Sequence, residues 1–199
     1  MSKRRQCVLI TVAVLLIAGV WTWRYVSLNS FYHNLNQKVR YTYSAGEIAP
    51  LEANAMDEGY SIRVDGFAIL DVPQICSTFS LSETDVTTTA DKIAVAYATL
   101  FNANSQLPGV NLIDFNLHGI DNYATVDWEL VPLMNPVLKD TGNYGISLSP
   151  GTEYSVVIPF ELFQQYFGAD TWKELDSYQF YLCRSTPDGE IDIRCQPSV

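Results

Sequence analysis

His118 and Cys76 are the side chains from which a nucleophilic site in this sequence would have to be built. A thiol needs a neighbouring base to become a thiolate, and imidazole is the side chain that supplies one near neutral pH. The choice is narrow, because the 199 residues include two histidines and four cysteines. His33 lies in a polar stretch near the N-terminus, and His118 precedes Gly119 among turn-forming residues. No G-x-S-x-G, H-E-x-x-H, C-x-x-C or phosphate-cradling glycine loop occurs in the sequence. The acidic residues form two groupings, Asp121, Asp127 and Glu129 in one hairpin and Asp188, Glu190 and Asp192 in another. In "DGEID" the carboxylates alternate, so on a strand Asp188, Glu190 and Asp192 share a face that could hold a hard cation with waters. The ligand order of a calcium loop is missing, so a solvated face and no bound metal is the plainer expectation. Cysteine and histidine are too few and too scattered along the chain to announce zinc. No cofactor and no catalytic residue are expected.

Cysteine arithmetic is register arithmetic. Cys7 sits in an apolar N-terminal run, which leaves Cys76, Cys183 and Cys195, an odd number. A two-residue Asp188-Gly189 turn would set Cys195 opposite Leu182 and send Cys183 to the other face. A three-residue loop would set Cys183 opposite Cys195. A Cys76–Cys183 bridge, or no bridge, is favoured over Cys183–Cys195.

The elements that carry these residues begin with "RRQCVLITVAVLLIAGVWTWRY". From Cys7 to Trp23 there is no charge over 17 residues, close to the lower limit for a helix that spans the hydrocarbon core. Lys3, Arg4 and Arg5 hold the N-terminus inside, and Trp21, Trp23 and Tyr25 suit the far headgroup layer. The indoles spoil the small-residue pattern of a signal-peptidase site, so the helix is expected to stay as an anchor. The expected plan is a cytoplasmic N-terminus (1–5), a transmembrane anchor (6–26), a stalk (27–38) and an extracytoplasmic domain (39–199). Without Lys3, Arg4, Arg5 and Arg24 the outer part keeps 8 basic residues against all 22 acidic ones, a net charge near −14. Such a surface repels phosphate backbones, which excludes nucleic acid as a partner.

Beyond the stalk, strand signals dominate. "VRYTY", "YSIRVDGFAIL" with a bend at Gly66, "KIAVAYATLFN", "VNLIDFNLHGI", "YATVDWEL", "TEYSVVIPF", and the pair "YQFYLCR" and "EIDIRC" read as strands. "KIAVAYATLFN" is apolar on both faces and belongs in the centre of a sheet. Only "FELFQQYF" and "DTWKEL" look like helical turns. Seven to nine short strands with little helix predict an all-β, immunoglobulin-like antiparallel β-sandwich after the N-terminal transmembrane helix. Val95, Tyr97, Val156, Ile158, Ile191 and Ile193 are expected between its sheets. In "SPGTEY", Pro150 and Gly151 predict a type II turn into the next strand. Asn102 and Asn104 are expected to cap a strand end through side-chain to backbone bonds.

The succession of a short anchor, "YATLFNANS", "FNLHGIDNYATVDWEL", "GISLSPGTEYSVVIPFELF" and "FYLCRS" resembles a family of small membrane-anchored surface proteins of Gram-positive bacteria, known as a domain of unknown function. It is more distantly similar to immunoglobulin-like, telokin-like domains of secreted bacterial proteins. The positions that carry the likeness are Asn102, Leu148, Pro150, Gly151 and Tyr154. The resemblance implies a fold and a location at the cell surface rather than an activity. The function read from these observations is a membrane-anchored, single-pass binding module facing the extracellular side, with a protein or envelope partner. The alternatives are a cell-envelope hydrolase using Cys76 or His118 with acidic residues, and a structural subunit of a membrane assembly.

Overall fold

The computed structural model describes residues 16–26, 39–51, 57–119, 122–186 and 189–197. Contacts divide the chain into two units, Met1–Val39 and Arg40–Val199. In the first, residues 16–26 form a helix, α1, whose side chains are all exposed. Leu16, Ile17, Val20, Trp21 and Trp23 are among them, and the Trp21 and Tyr25 rings stack with centroids 6.5 Å apart. Among the described residues no helix is long and apolar enough to cross a membrane. Positions 6–15 of the expected anchor and the stalk lie outside the described residues.

The second unit is built mostly of strands: β1 (Val39–Tyr43), β2 (Ile48–Pro50), β3 (Tyr60–Leu70), β4 (Lys92–Asn102), β5 (Val110–Asn111), β6 (Asn116–His118), β7 (Tyr123–Thr125), β8 (Gly145–Ile146), β9 (Thr152–Leu162), β10 (Phe180–Ser185) and β11 (Gly189–Cys195). They make a five-stranded sheet in the order β1-β11-β10-β6-β7, a four-stranded sheet in the order β2-β3-β4-β9, and a small β5-β8 pair. The doubly apolar β4 lies between β3 and β9, as its composition predicts. The β3–β4 register shifts between Val64 and Gly66, a bulge at the bend read from the sequence.

The side-chain period of 2 sorts β4 into two cores. Ala94, Ala96, Ala98 and Leu100 face the five-stranded sheet and pack with Leu117, Leu182, Ile191, Ile193, Val156, Ile158 and Phe160. Ile93 and Val95 face the opposite way, into a second cluster with Ile75, Leu130 and Met134. The expected inter-sheet placement therefore holds for Val156, Ile158, Ile191 and Ile193 and fails for Val95 and Tyr97. Small alanines take the inner side, and the bulkier residues sit under helices.

Those helices, α2 (Val72–Phe79) and α3 (Leu130–Met134), were not expected. Asp71 caps α2: its Oδ1 accepts from Gln74 N at 2.9 Å, while Gln74 Oε1 accepts from Asp71 N at 2.8 Å. The strand read in "VNLIDFNLHGI" is broken into β5, a 3-10 turn at Leu112–Asp114 and β6. "YATVDWEL" is strand only to Thr125 and leads into α3. Within "FELFQQYF", Phe160 to Leu162 continue β9, and a 3-10 turn follows at Gln164–Tyr166. "DTWKEL" contributes to the short helix α4 (Ala169–Lys173).

The Pro150-Gly151 turn and the role of Asn102 are as read. Gly151 has φ +75° and Thr152 N donates to Ser149 O at 3.2 Å, a type II arrangement. Asn102 is buried and ties the neighbouring loops together: Nδ2 donates to Ser105 O (3.0 Å) and Leu148 O (2.7 Å), and Oδ1 accepts from Ser105 N (2.7 Å).

Candidate functional site

The β10–β11 hairpin decides which polar residues meet. Thr186 and Gly189 exchange both backbone hydrogen bonds, so Cys183 pairs with Asp192 and Phe180 with Cys195. This is neither of the two registers considered for the hairpin. It places Cys183 and Cys195 on opposite faces, because successive strand residues alternate sides. Cys76, Cys183 and Cys195 are all free thiols, and the Cys76–Cys183 bridge is not formed.

With that register, Phe180, Leu182 and Arg184 turn inward, while Tyr181 and Cys183 turn to the outer face of the five-stranded sheet. The neighbouring ladders bring more polar side chains to that face. His118 on β6 stands opposite Tyr181, and Tyr123 on β7 stands opposite His118. Glu190 and Asp192 share the face on β11, as their alternation predicts; Asp188 lies outside the described residues. The donor atoms of His118, Cys183 and Glu190 all lie within 4.8 Å of one another. The His118 and Tyr123 rings pack at 4.9 Å between centroids. Arg40 on β1 reaches across to Glu190 (3.4 Å) and Asp192 (3.6 Å). An open-mouthed recess of about 570 Å³ is lined by Arg40, Thr42, His118, Tyr123, Tyr181 and Asp192, among others.

Gly119 shapes the edge of this recess. Its N donates to Asn122 O at 2.8 Å, closing the β6–β7 connection. A Cβ at this position would lie 2.4 Å from Tyr178 Cε1, so only glycine lets that ring pack across the strand end.

The electrostatics of the face are those of crowded acids. Burial pushes the Cys183 thiol well above its ordinary value, and the adjacent Asp192 and Glu190 carboxylates push it further. Burial also raises Tyr123, with Cys183 and Glu190 adding to it. Asp192 is 5% exposed, and its Oδ1 has no hydrogen-bond partner. A thiol and an imidazole adjacent to each other resemble a nucleophile and base, but a thiol held protonated in this way is a poor nucleophile. The three donor types, sulfur, nitrogen and oxygen, are better suited to holding something than to attacking it.

Other residues singled out from the sequence fall elsewhere. Cys76 is on α2 and packs against the second core cluster, so both sheets separate it from His118. Asp127 is a structural acid: its Oδ1 accepts from Glu129 N and Leu130 N, both at 3.1 Å, at the start of α3. His33, Asp121 and Cys7 lie outside the described residues. The sequence reading missed Cys183 as the partner of His118, and it missed Arg40 and Tyr123. The only signal for Cys183 was its place in the strand, which depends on a register that sequence left open.

A second polar group lies directly beneath, inside the sandwich. Arg184 is 2% exposed and forms an ion pair with the buried Asp57. Asp114 approaches the same nitrogen at 3.4 Å, and the guanidinium lies 4.9 Å from the centre of the Phe115 ring. Burial lowers the pKa of Arg184 and raises that of Asp57, in each case outweighing the attraction of the partner.

These features define the class: a β-sandwich-like domain with a few short helices and a polar recess on the outer face of one sheet. The chain belongs to the family described as Domain of unknown function (DUF5028), which matches residues 40–186. Among solved structures it is similar to a secreted protein from Mycobacterium tuberculosis, MPT63. The identity is 11% over 80% of this chain and 98% of that one, with a TM-score of 0.45. It is also similar to a candidate lipoprotein, ycdA, from Bacillus subtilis. The identity there is 11% over 69% of this chain and 36% of that one, with a TM-score of 0.39. No curated protein matches the chain significantly.

Proposed function

We propose that this protein is a binding module of immunoglobulin-like type, held at the outer face of a bacterial membrane by its N-terminal helix and performing no catalysis. The observation that carries the reading is the open recess on the five-stranded sheet. It combines exposed aromatic surface (Tyr123) with charged groups of both signs (Arg40, Asp192). Recognition surfaces use such combinations, with aromatic anchors surrounded by polar contacts. Support for the anchor comes from the uncharged run of the sequence and from the apolar side chains that α1 exposes.

A photo-crosslinking amino acid placed at Tyr123, in intact cells, tests the binding face. Tyr166, which is 61% exposed and lies on the 3-10 turn after β9, serves as the control position. A discrete adduct from position 123 alone is expected; none from 123, or equal labelling from both, ends the proposal. Mass spectrometry of the native protein should find Cys7 to Trp23 still attached. Activity profiling on peptide, glycan, ester and phosphate substrates should find no turnover that His118→Ala removes.

A further inference from the structure

We propose that the outer face of the five-stranded sheet is a binding site for a borderline-soft divalent cation of the zinc type, held by His118, Cys183 and Glu190 with Asp192 as the fourth group. The donor set comes first. Thiolate sulfur, imidazole nitrogen and carboxylate oxygen are the three ligand types that zinc accepts. They converge here from β6, β10 and β11, with their donor atoms within 4.8 Å of one another. A tetrahedral ion with bonds of about 2.0 to 2.3 Å sets its ligand atoms about 3.3 to 3.7 Å apart. The distance left to close is at most about 1 Å. Cys183 sits at the centre of the set, paired with Asp192 on one side and one ladder step from His118 on the other.

Asp192 is the independent observation. Its carboxylate lines the recess, is almost wholly buried, and keeps Oδ1 without any hydrogen-bond partner. A buried oxygen left unbonded is costly, and a metal ion is one of the few partners that satisfies it. The charges also balance. A Cys183 thiolate, Glu190 and Asp192 carry three negative charges, which a divalent ion and the Arg40 guanidinium together neutralise. Binding releases the thiol proton to solvent, as metal coordination of a cysteine requires.

The opposite face of the hairpin explains why the site is on this side. There, Arg184 already supplies the cation for Asp57 and Asp114. On the outer face the acids outnumber the cation that reaches them.

The test is titration of the full-length protein in detergent with cobalt(II), whose thiolate bond and tetrahedral geometry are visible by absorption, followed by displacement with zinc(II). One equivalent should bind with a thiolate-to-cobalt charge-transfer band and tetrahedral visible bands. Cys183→Ser should remove the charge-transfer band, and His118→Gln and Glu190→Gln should each weaken binding by about 10-fold or more. Cys76→Ser should change nothing. Absence of a thiolate band in the wild type, a band that survives Cys183→Ser, or one lost with Cys76→Ser, would overturn the site. If Cys183→Ser does not fold, Glu190→Gln decides alone, because Glu190 is at the surface of the cluster and its amide is nearly isosteric. Unchanged affinity in that variant refutes the proposal.

Discussion

Cys183 and Arg184 are neighbours in one strand, yet they stand in opposite physical situations. Arg184 points into the sandwich, where water is excluded and every charge must find its partner within the protein. It finds Asp57, also buried, and the half-exposed Asp114. Cys183 points to the outer face of the sheet, itself buried but beside a recess that is open to solvent, among acids whose only described cationic partner is the exposed Arg40. The inner group is shut off from solvent, so the one nitrogen it leaves unbonded, Arg184 Nη1, is out of a ligand's reach. The outer one leaves donor atoms converging and one of them, Asp192 Oδ1, unused. Polar residues inside a fold therefore mark function best where they are left incompletely satisfied beside solvent. A sealed ion pair, however unusual, is a statement about packing.

The sharpest way to break this comparison is to cut the inner pair. Arg184→Met leaves Asp57 buried without its cation and should cost about 3–5 kcal/mol of unfolding free energy by chemical denaturation. The double variant Asp57→Leu with Arg184→Met should recover most of that loss, because desolvation already works against both charges. If the double variant is as unstable as the single one, the pair is a source of stability in its own right and the argument from desolvation fails.

Apolar packing around the same group sets a second scale. Ile158→Ala opens a cavity between the sheets and should cost about 2–5 kcal/mol. A loss below about 0.5 kcal/mol would mean that the inner face of β9 has been misassigned.

A third test uses a buried acid that faces no described cation. Asp127 is shifted up from 3.8, first by burial, with the nearby Glu129 adding to the shift against three hydrogen bonds that lower it. Glu161 is shifted up from 4.5 by burial and by Asp127 and Glu129. For an acid whose folded pKa is raised, the native state holds its proton to higher pH than the unfolded chain does. Its contribution is therefore favourable below the unfolded value and is lost as pH rises from there through the raised folded value. Thermal melts should show stability falling as pH rises above about 4, and Asp127→Asn should flatten that fall. The amide oxygen of the variant can still accept from Leu130 N. An unchanged pH profile would show that Asp127 is no more burdened by burial than an exposed carboxylate.

The smallest effect belongs to the open face. Arg40→Ala should change stability by no more than about 1 kcal/mol, and added salt should erase the difference. A larger, salt-independent loss would mean that Arg40 is part of a sealed network like that of Arg184. The contrast between the two faces would then disappear.

Much of the architecture was readable in advance because it rests on local chemistry. The alternation in "TEYSVVIPF" sends Val156, Ile158 and Phe160 to one side in any sheet. The doubly apolar "KIAVAYATLFN" had to be central, since no edge strand could bury both faces. Pro150-Gly151 makes its turn from backbone preference alone. The helices went unseen although "DVPQ" spells a capping box before α2; eight residues are short enough for strand-like composition around them to dominate the reading. Similarly, "DWEL" held an acid able to cap α3, but the strand signal before it masked the change.

The site lay beyond this kind of reading. Sequence determined which residues could act as donors: alternation puts Glu190 and Asp192 on one strand face, but His118, Cys183 and that pair lie on three different strands, and nothing local joins the three. Tertiary structure decided that they meet, through the two ladders of β10 and the register of its hairpin with β11. The physical reason is the strand period. A shift of one residue in that register would have carried Cys183 from the acids of β11 to their neighbours on the other face. Local spacing carries no information on such a shift, because the register is set by the packing of Leu182, Ile191 and Ile193 into a core to which distant strands contribute.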